Sequence, residues 1–284
     1  MINSEKQIIF LELNEVPSII FKRYAEESNS FSKLISQFSQ YNTLSYDEVH
    51  LSPWITWPTV HRGVTFNSHK IENLGQDITE ANKLYPNIWE ILNKNNLSTG
   101  VYGSLHSSYI IDKIEDYKFY IPDIFSTHSN CHPKSLQPIQ DFQLNLSRKS
   151  ARNVDKSIGG KKAIKTFISL LKNGLTFKTF LKIINQLLLE KFFKEKLTRR
   201  RTIQADINFD IYLRLLRNKN PNFSTFFSNH VASSMHRYWE ASFPNDYEKQ
   251  IQSSKWLKKY KGEIYYAMKT TEKIIKDLMK YSKK

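Results

Sequence analysis

Apolar and polar positions divide this chain into segments with different periods. Ile8-Ile9-Phe10-Leu11-Glu12-Leu13 is a nearly continuous apolar run that closes on polar Asn14-Glu15, the pattern of a buried strand. Helical spacing follows over 17–27 and 30–38. Residues 41–58 are rich in aromatic and hydroxyl side chains, show no period, and predict an irregular segment. Pro86 stands where a helix begins, with Ile88, Trp89, Ile91 and Leu92 as its apolar positions. Thr99-Gly100-Val101-Tyr102-Gly103 then predicts a short second strand. Strand, helix and strand at this spacing predict an α/β fold, a mostly parallel sheet flanked by crossover helices.

After Pro122 the pattern changes. Pro133, Pro138 and many polar residues predict a loop, and three helices then run to about Asn218. Their apolar positions recur at helical spacing: Phe167, Leu170 and Leu171, then Phe177, Phe180, Leu181, Ile184, Leu187 and Leu188. Lys172, Lys178, Lys182 and Glu190 interrupt the run, which excludes a membrane span. Phe223 to Phe227 predicts another strand, ending at Ser228-Asn229-His230, and a last helix covers 262–281. The organisation that results is a first part of an α/β core over 1–125, a helical insertion over 126–219, and a continuation of the core over 220–284.

Charge sharpens this division. The chain of 284 residues carries a formal net charge of +15. Between Arg148 and Arg201 there are 16 Lys and Arg against 3 Asp and Glu, a net +13. The other 230 residues carry 26 basic and 24 acidic side chains, so the excess belongs to the insertion. Hydrophobic content of 40% with 13% aromatics excludes global disorder. Cys131 stands alone, which excludes an intrachain disulfide and points to a reducing compartment. The polar start and the short apolar run after it are too brief for a signal peptide, so the expected location is cytoplasmic. The insertion, ending in Arg199-Arg200-Arg201, reads foremost as a solvated cap. It also fits a surface for anionic polymer or for lipid at the inner membrane face. A nucleic-acid face is the third reading, and no recognisable nucleic-acid-binding motif accompanies it.

Ligands of open α/β sheets bind beyond the carboxyl ends of the strands. Three polar clusters fall there: Glu12, Asn14 and Glu15; the loop holding Thr56; and Asn229 and His230 with His236. His128-Ser129-Asn130-Cys131-His132 has no second ligand pair at matching spacing and reads as a loop rather than a zinc site.

Ser52-Pro53-Trp54-Ile55-Thr56-Trp57-Pro58-Thr59-Val60-His61-Arg62-Gly63 is the most specific segment. It resembles the Thr-aromatic-Pro-Asn stretch of type I phosphodiesterases and nucleotide pyrophosphatases in the alkaline-phosphatase-like superfamily. Thr59 departs from that pattern, since many relatives have Asn there. Gly63 and Asn67-Ser68-His69 resemble the family's following Gly and Pro-Glu-x-His-Gly-Ile stretch. The first strand resembles the one that ends in a metal-binding Asp, with Asn14 at that position. Phe227 to Trp239 resembles the strand-end Asp and the helix bearing a ligand His, with Asn229 and His236 in those places. Glu12-Leu13-Asn14-Glu15, the Thr56 segment and Asn73-Leu74-Gly75-Gln76 together resemble an uncharacterised bacterial branch associated with surface-polysaccharide genes.

The resemblance implies a hydrolase of phosphodiesters, phosphomonoesters or, less readily, sulfate esters. It makes Thr56 the nucleophile, activated by metal because a hydroxyl alone is weak. The implied ligands of a divalent metal, zinc or manganese, are Glu12, Asn14, Thr56, Asn229, His230 and His236, with Thr59 and His61 at the substrate. The implied substrate is a phosphorylated or anionic small molecule or glycan. Relatives complete a two-metal site with an Asp-His-Gly segment and a last His that do not occur before Lys284. The chain is therefore expected to be either the N-terminal part of a longer protein or a degenerate member. The second expectation, from a different class, is a non-catalytic binding module that uses the basic insertion.

Overall fold

The computed structural model describes residues 6–43, 51–108, 113–152 and 160–282. In chain order, β1 (Ile8–Leu13) leads to α1 (Ser18–Glu27), α2 (Asn29–Ile35), α3 (Pro53–Arg62) and α4 (Phe66–His69). Next come α5 (Thr79–Leu84), α6 (Ile88–Lys94), β2 (Thr99–Tyr102) and β3 (Phe119–Ile121). The basic stretch forms α7 (Gln137–Arg152), α8 (Gly160–Asn173), α9 (Phe177–Phe192) and α10 (Arg200–Lys219). β4 (Phe223–Ser228), α11 (His230–Ser242), α12 (Ser254–Tyr260) and α13 (Glu263–Ser282) complete the chain.

The fold is α/β, with a four-stranded, all-parallel sheet in the order β1-β4-β2-β3 flanked by helices. β2 is central and pairs with both β3 and β4, Gly100 lying opposite Phe119 on one side and Ser224 on the other. A Cβ on Gly100 would fall 2.3 Å from the Phe119 ring, so this register requires glycine. Alternate residues serve opposite faces of the sheet. Val101 and Phe223 join Trp89, Tyr117 and Tyr120 in one core cluster. Tyr102 and Phe119 meet Tyr212 of α10 edge to face, and Phe226 packs on it tilted, in another.

The chain forms two compact units. The first comprises the described residues within Met1–Glu12, Leu44–Leu175 and Ile211–Phe227. The second comprises those within Leu13–Thr43, Thr176–Asp210 and Ser228–Lys284. The 126–219 segment is shared between them, with α7 and α8 in the first unit and α9 in the second. In the second unit α13 packs on α11, burying Ile264, Ala267, Met268, Ile274, Ile275 and Leu278. Tyr24 of α1 donates a 2.8 Å hydrogen bond to Glu272 there, and Arg23 forks onto Asp246 at 2.8 and 2.9 Å.

Three local expectations are corrected. Residues 53–58, read as irregular, are helical, because Ser52 caps α3 and Pro53 occupies its first turn, where a missing N–H costs nothing. The basic stretch contains four helices rather than three. β3 was not anticipated, since three residues are too few to show a period. The part of the 41–58 segment at 44–50 lies outside the described residues.

Candidate functional site

In the first unit, α3 carries the hydroxyls expected to matter. Ser52 Oγ accepts from Trp54 N at 3.3 Å and fixes the helix start. Thr56 follows on the first turn, where the helix dipole favours anions. Its side chain is exposed, and its Oγ1 donates to Ser52 O at 2.9 Å, leaving the oxygen's acceptor side outward. Thr59 differs. Its Oγ1 donates to Ile55 O at 3.1 Å and accepts from His69 Nε2 at 3.0 Å. The His69 tautomer is fixed because Nδ1 accepts from Ile71 N at 2.9 Å. Thr59 is thus occupied as donor and acceptor, and Thr56 is occupied as donor.

Pro58 sits inside α3 and has no N–H for the carbonyl of Trp54, four residues back. His106, just beyond β2, supplies the missing donor: its Nε2 donates to Trp54 O at 3.1 Å. Burial pushes the His106 imidazole down to about 4, against the opposing pull of that bond, so it stays neutral. Its backbone has φ 58, an uncommon conformation for a residue with a side chain. The one sign of His106 in the sequence is Pro58, since a helix-interior proline leaves a carbonyl that some other donor must satisfy.

Glu12, expected as a metal ligand, is fully buried and accepts from His61 Nε2 at 3.0 Å and Ser104 Oγ at 3.1 Å. Ser104 Oγ also lies 2.7 Å from Thr225 Oγ1 on β4. His61, expected at the substrate, is buried with it, stacked on Trp57 and edge-on to Trp89. Glu12 Oε2 and His61 Nδ1 have no hydrogen-bond partner among the described residues. Both side chains therefore work inside the unit, joining α3 to the sheet.

In the second unit the ends of β1 and β4 bring four polar residues together. Asn14 N donates to Ser228 O at 3.1 Å, extending the strand pairing past β1. Asn14 Nδ2 donates to Asn229 Oδ1 at 2.9 Å and reaches Glu15 Oε2 at 3.4 Å. Glu15 Oε2 lies 2.8 Å from His236 Nε2 of α11, with 35% and 65% of the two side chains exposed. Glu15 has φ 50, and such strain in a non-glycine residue clusters at functional positions. Arg201 and Arg237 both donate to Ser233 Oγ, at 2.9 and 2.7 Å, which adds positive charge beside α11. Burial and then the Arg237 charge push the Arg201 guanidinium down.

His230 is placed apart from this cluster in its chemistry. Its Nδ1 lies 2.7 Å from Ser228 Oγ, and its Nε2 donates to Ala267 O at 3.2 Å with Thr271 Oγ1 at 3.1 Å. Burial pushes it down to about 4, so the ring is neutral and both nitrogens are committed to protein partners. Of the six expected ligands, Asn14, Asn229 and His236 come together, joined by Glu15. Thr56 and Glu12 keep the first-unit partners given above.

Among the described residues, no group of three or more His, Cys, Asp or Glu side chains is gathered as a metal site would gather them. The cluster offers one carboxylate, one imidazole and two amide oxygens, a donor set suited to a single cation rather than to two. No protein-family model matches the chain, and no curated protein or solved structure matches it.

Proposed function

We propose that the chain is a phosphate-ester hydrolase of the alkaline-phosphatase-like superfamily, with Thr56 as the reacting hydroxyl. The observation that carries the reading is the cluster of Asn14, Glu15, Asn229 and His236 where two neighbouring parallel strands end. Such strand ends are where open α/β sheets bind ligands. Within the second unit, a divalent ion bound by Glu15, His236 and the amide oxygens would supply Lewis-acid chemistry. Arg201 and Arg237 add positive charge to that unit.

Thr56 rather than Thr59 is assigned the attack because its oxygen is exposed and accepts no hydrogen bond among the described residues, while the half-buried Thr59 oxygen already accepts from His69. Thr56 Oγ1 bonds to phosphorus as the ester oxygen departs, and the Thr56 proton leaves for solvent. Water then cleaves the phosphothreonine ester. Glu12, His61 and Ser104 hold α3 against the sheet and so fix the direction of the Thr56 oxygen.

The test is turnover of a nitrophenyl phosphodiester with elemental analysis of the purified protein. Thr56→Ala is expected to abolish turnover while Thr59→Ala spares much of it, with one divalent ion per chain. The opposite ranking moves the nucleophile to Thr59. A wild-type chain without turnover and without metal overturns the hydrolase reading.

A further inference from the structure

α9 is amphipathic, but built inside out. Thr179, Lys182, Gln186 and Glu190 recur three or four residues apart and so share one face, which points inward. Each has a partner within the second unit. Thr179 Oγ1 lies 3.1 Å from Thr176 Oγ1, and Lys182 pairs with Asp206 and reaches Thr270 Oγ1 at 3.2 Å. Gln186 Nε2 donates to Glu190 Oε1 at 2.8 Å and to Lys196 O at 2.6 Å. Glu190 Oε2 accepts from Arg200 Nε and Nη2 at 2.8 and 2.6 Å.

The opposite face is apolar and faces water. Phe177, Leu181, Ile184, Leu188 and Phe192 follow one another at helical spacing, with Phe177 and Phe192 74% exposed and Leu188 56%. α8, taken by itself in the first unit, repeats the inversion in part, with Leu170 the one apolar residue turned fully inward among its described side chains. Thr166 and Ser169 turn inward and donate to Pro138 O at 3.4 Å and Ser135 O at 2.9 Å, while Ile164, Ile168 and Leu171 are exposed. A helix of a globular protein ordinarily does the reverse. Contiguous exposed apolar surface marks an interaction site.

Charge selects the partner. Lys178, Lys191, Lys194 and Arg200 are exposed along and just beyond α9, and its one acidic residue, Glu190, is buried and paired. A two-fold pairing with a second copy would set these lysines against their own counterparts. An anionic lipid surface accepts both the apolar stripe and its basic border. No helix among the described residues is long and apolar enough to cross a membrane, so the geometry is one of lying on the surface.

We propose that the outward face of α9 docks on an anionic lipid surface. Phe177, Leu181, Leu188 and Phe192 enter the boundary between headgroups and acyl chains. Lys178, Lys191 and Lys194 meet the lipid phosphates. This binding is independent of any hydrolytic activity, and its test does not use turnover.

The experiment is co-sedimentation of the full chain with vesicles of phosphatidylcholine, alone or mixed with phosphatidylglycerol. The chain is expected to pellet with the mixed vesicles at low salt and to be released as salt rises. Leu181→Ser with Leu188→Ser is expected to weaken binding about tenfold or more. Both residues are exposed, so the thermal midpoint of the double variant stays at the wild-type value. Lys178→Gln and Lys191→Gln are each expected to weaken binding roughly fivefold. The proposal is overturned if the wild type fails to pellet at low salt or pellets equally with phosphatidylcholine alone. It is overturned equally if the serine variant binds like the wild type. A dimer in lipid-free solution that the serine variant dissolves, without vesicle binding, reassigns the face to self-association.

Discussion

α9 and α13 belong to the same unit, and each repeats apolar residues at helical spacing, yet they face opposite ways. α13 turns Ile264, Ala267, Met268, Ile274, Ile275 and Leu278 into the core and leaves Lys269 and Lys280 outside. α9 turns Leu181, Ile184 and Leu188 out and keeps Gln186 and Glu190 in. The difference lies in what waits on the inside. Against α13 stand α11 and Tyr24, and its buried polar residues Thr270, Thr271 and Glu272 each have a polar partner, so burial of apolar area sets its orientation. Against α9 stand Asp206, Arg200 and the carbonyl of Lys196, charged or polar groups that need polar partners. An amphipathic period thus reports that a helix has two faces, and the neighbouring groups decide which is buried.

Substitutions can break or sharpen this contrast. The largest effect is expected from Ile274→Ala in α13, a loss of about 2–5 kcal/mol in urea unfolding from the removed contacts and the cavity left behind. Acid comes next. His230 holds its ring nitrogens against Ser228 on one side and Ala267 and Thr271 of α13 on the other. Its folded value of about 4 lies below its free value of 6.5, through burial first and the Lys182 charge after. The unfolded chain therefore binds the extra proton between those two values. This contribution is complete above pH 6.5 and is lost as pH falls toward 4, about 3 kcal/mol in all. His106 acts in the same direction, whereas Asp123, pushed up to about 6 by burial, adds stability as pH falls through that value. Urea titrations between pH 7 and 4 should accordingly show a shallower acid loss in His230→Gln than in the wild type.

Glu190→Ala follows in size. It removes the carboxylate that the Gln186 amide and the Arg200 guanidinium share, with an expected loss of about 1–3 kcal/mol in urea unfolding. Leu188→Ala sits at the small end, within about 0.5 kcal/mol, because its side chain already faces water. Equal losses for Ile274→Ala and Leu188→Ala would remove the contrast, since the Leu188 face would then be covered.

These orientations mark the limit of what the sequence discloses. β1, β4 and α13 are legible because in each the apolar residues recur over enough positions to set its period and its ends. The meeting of Asn14, Asn229 and His236 was legible in outline, since parallel strands deliver their carboxyl ends to one edge. Glu15 was underrated, because only the backbone shows its positive φ. Glu12 was placed at the metal, but its partner His61 lies 49 residues away, and no local pattern reveals such a pairing. The same holds for His230, whose commitments to Ala267 and Thr271 are tertiary. The apolar run of α9 was read correctly as helical, and its period carried no information about the side that meets the protein.

The proline within α3 makes two distant positions dependent on each other in descent. With Pro58 present, the Trp54 carbonyl relies on His106, 52 positions along the chain. Losing His106 alone strands that carbonyl, and losing Pro58 alone lets the helix reclaim it and strands the His106 N–H. Each change is costly by itself, and the second partly repairs the first, so their effects do not add. A lineage that drops one of these residues is under pressure to drop the other. The route between the two states crosses a less stable intermediate, which tends to keep the pair together.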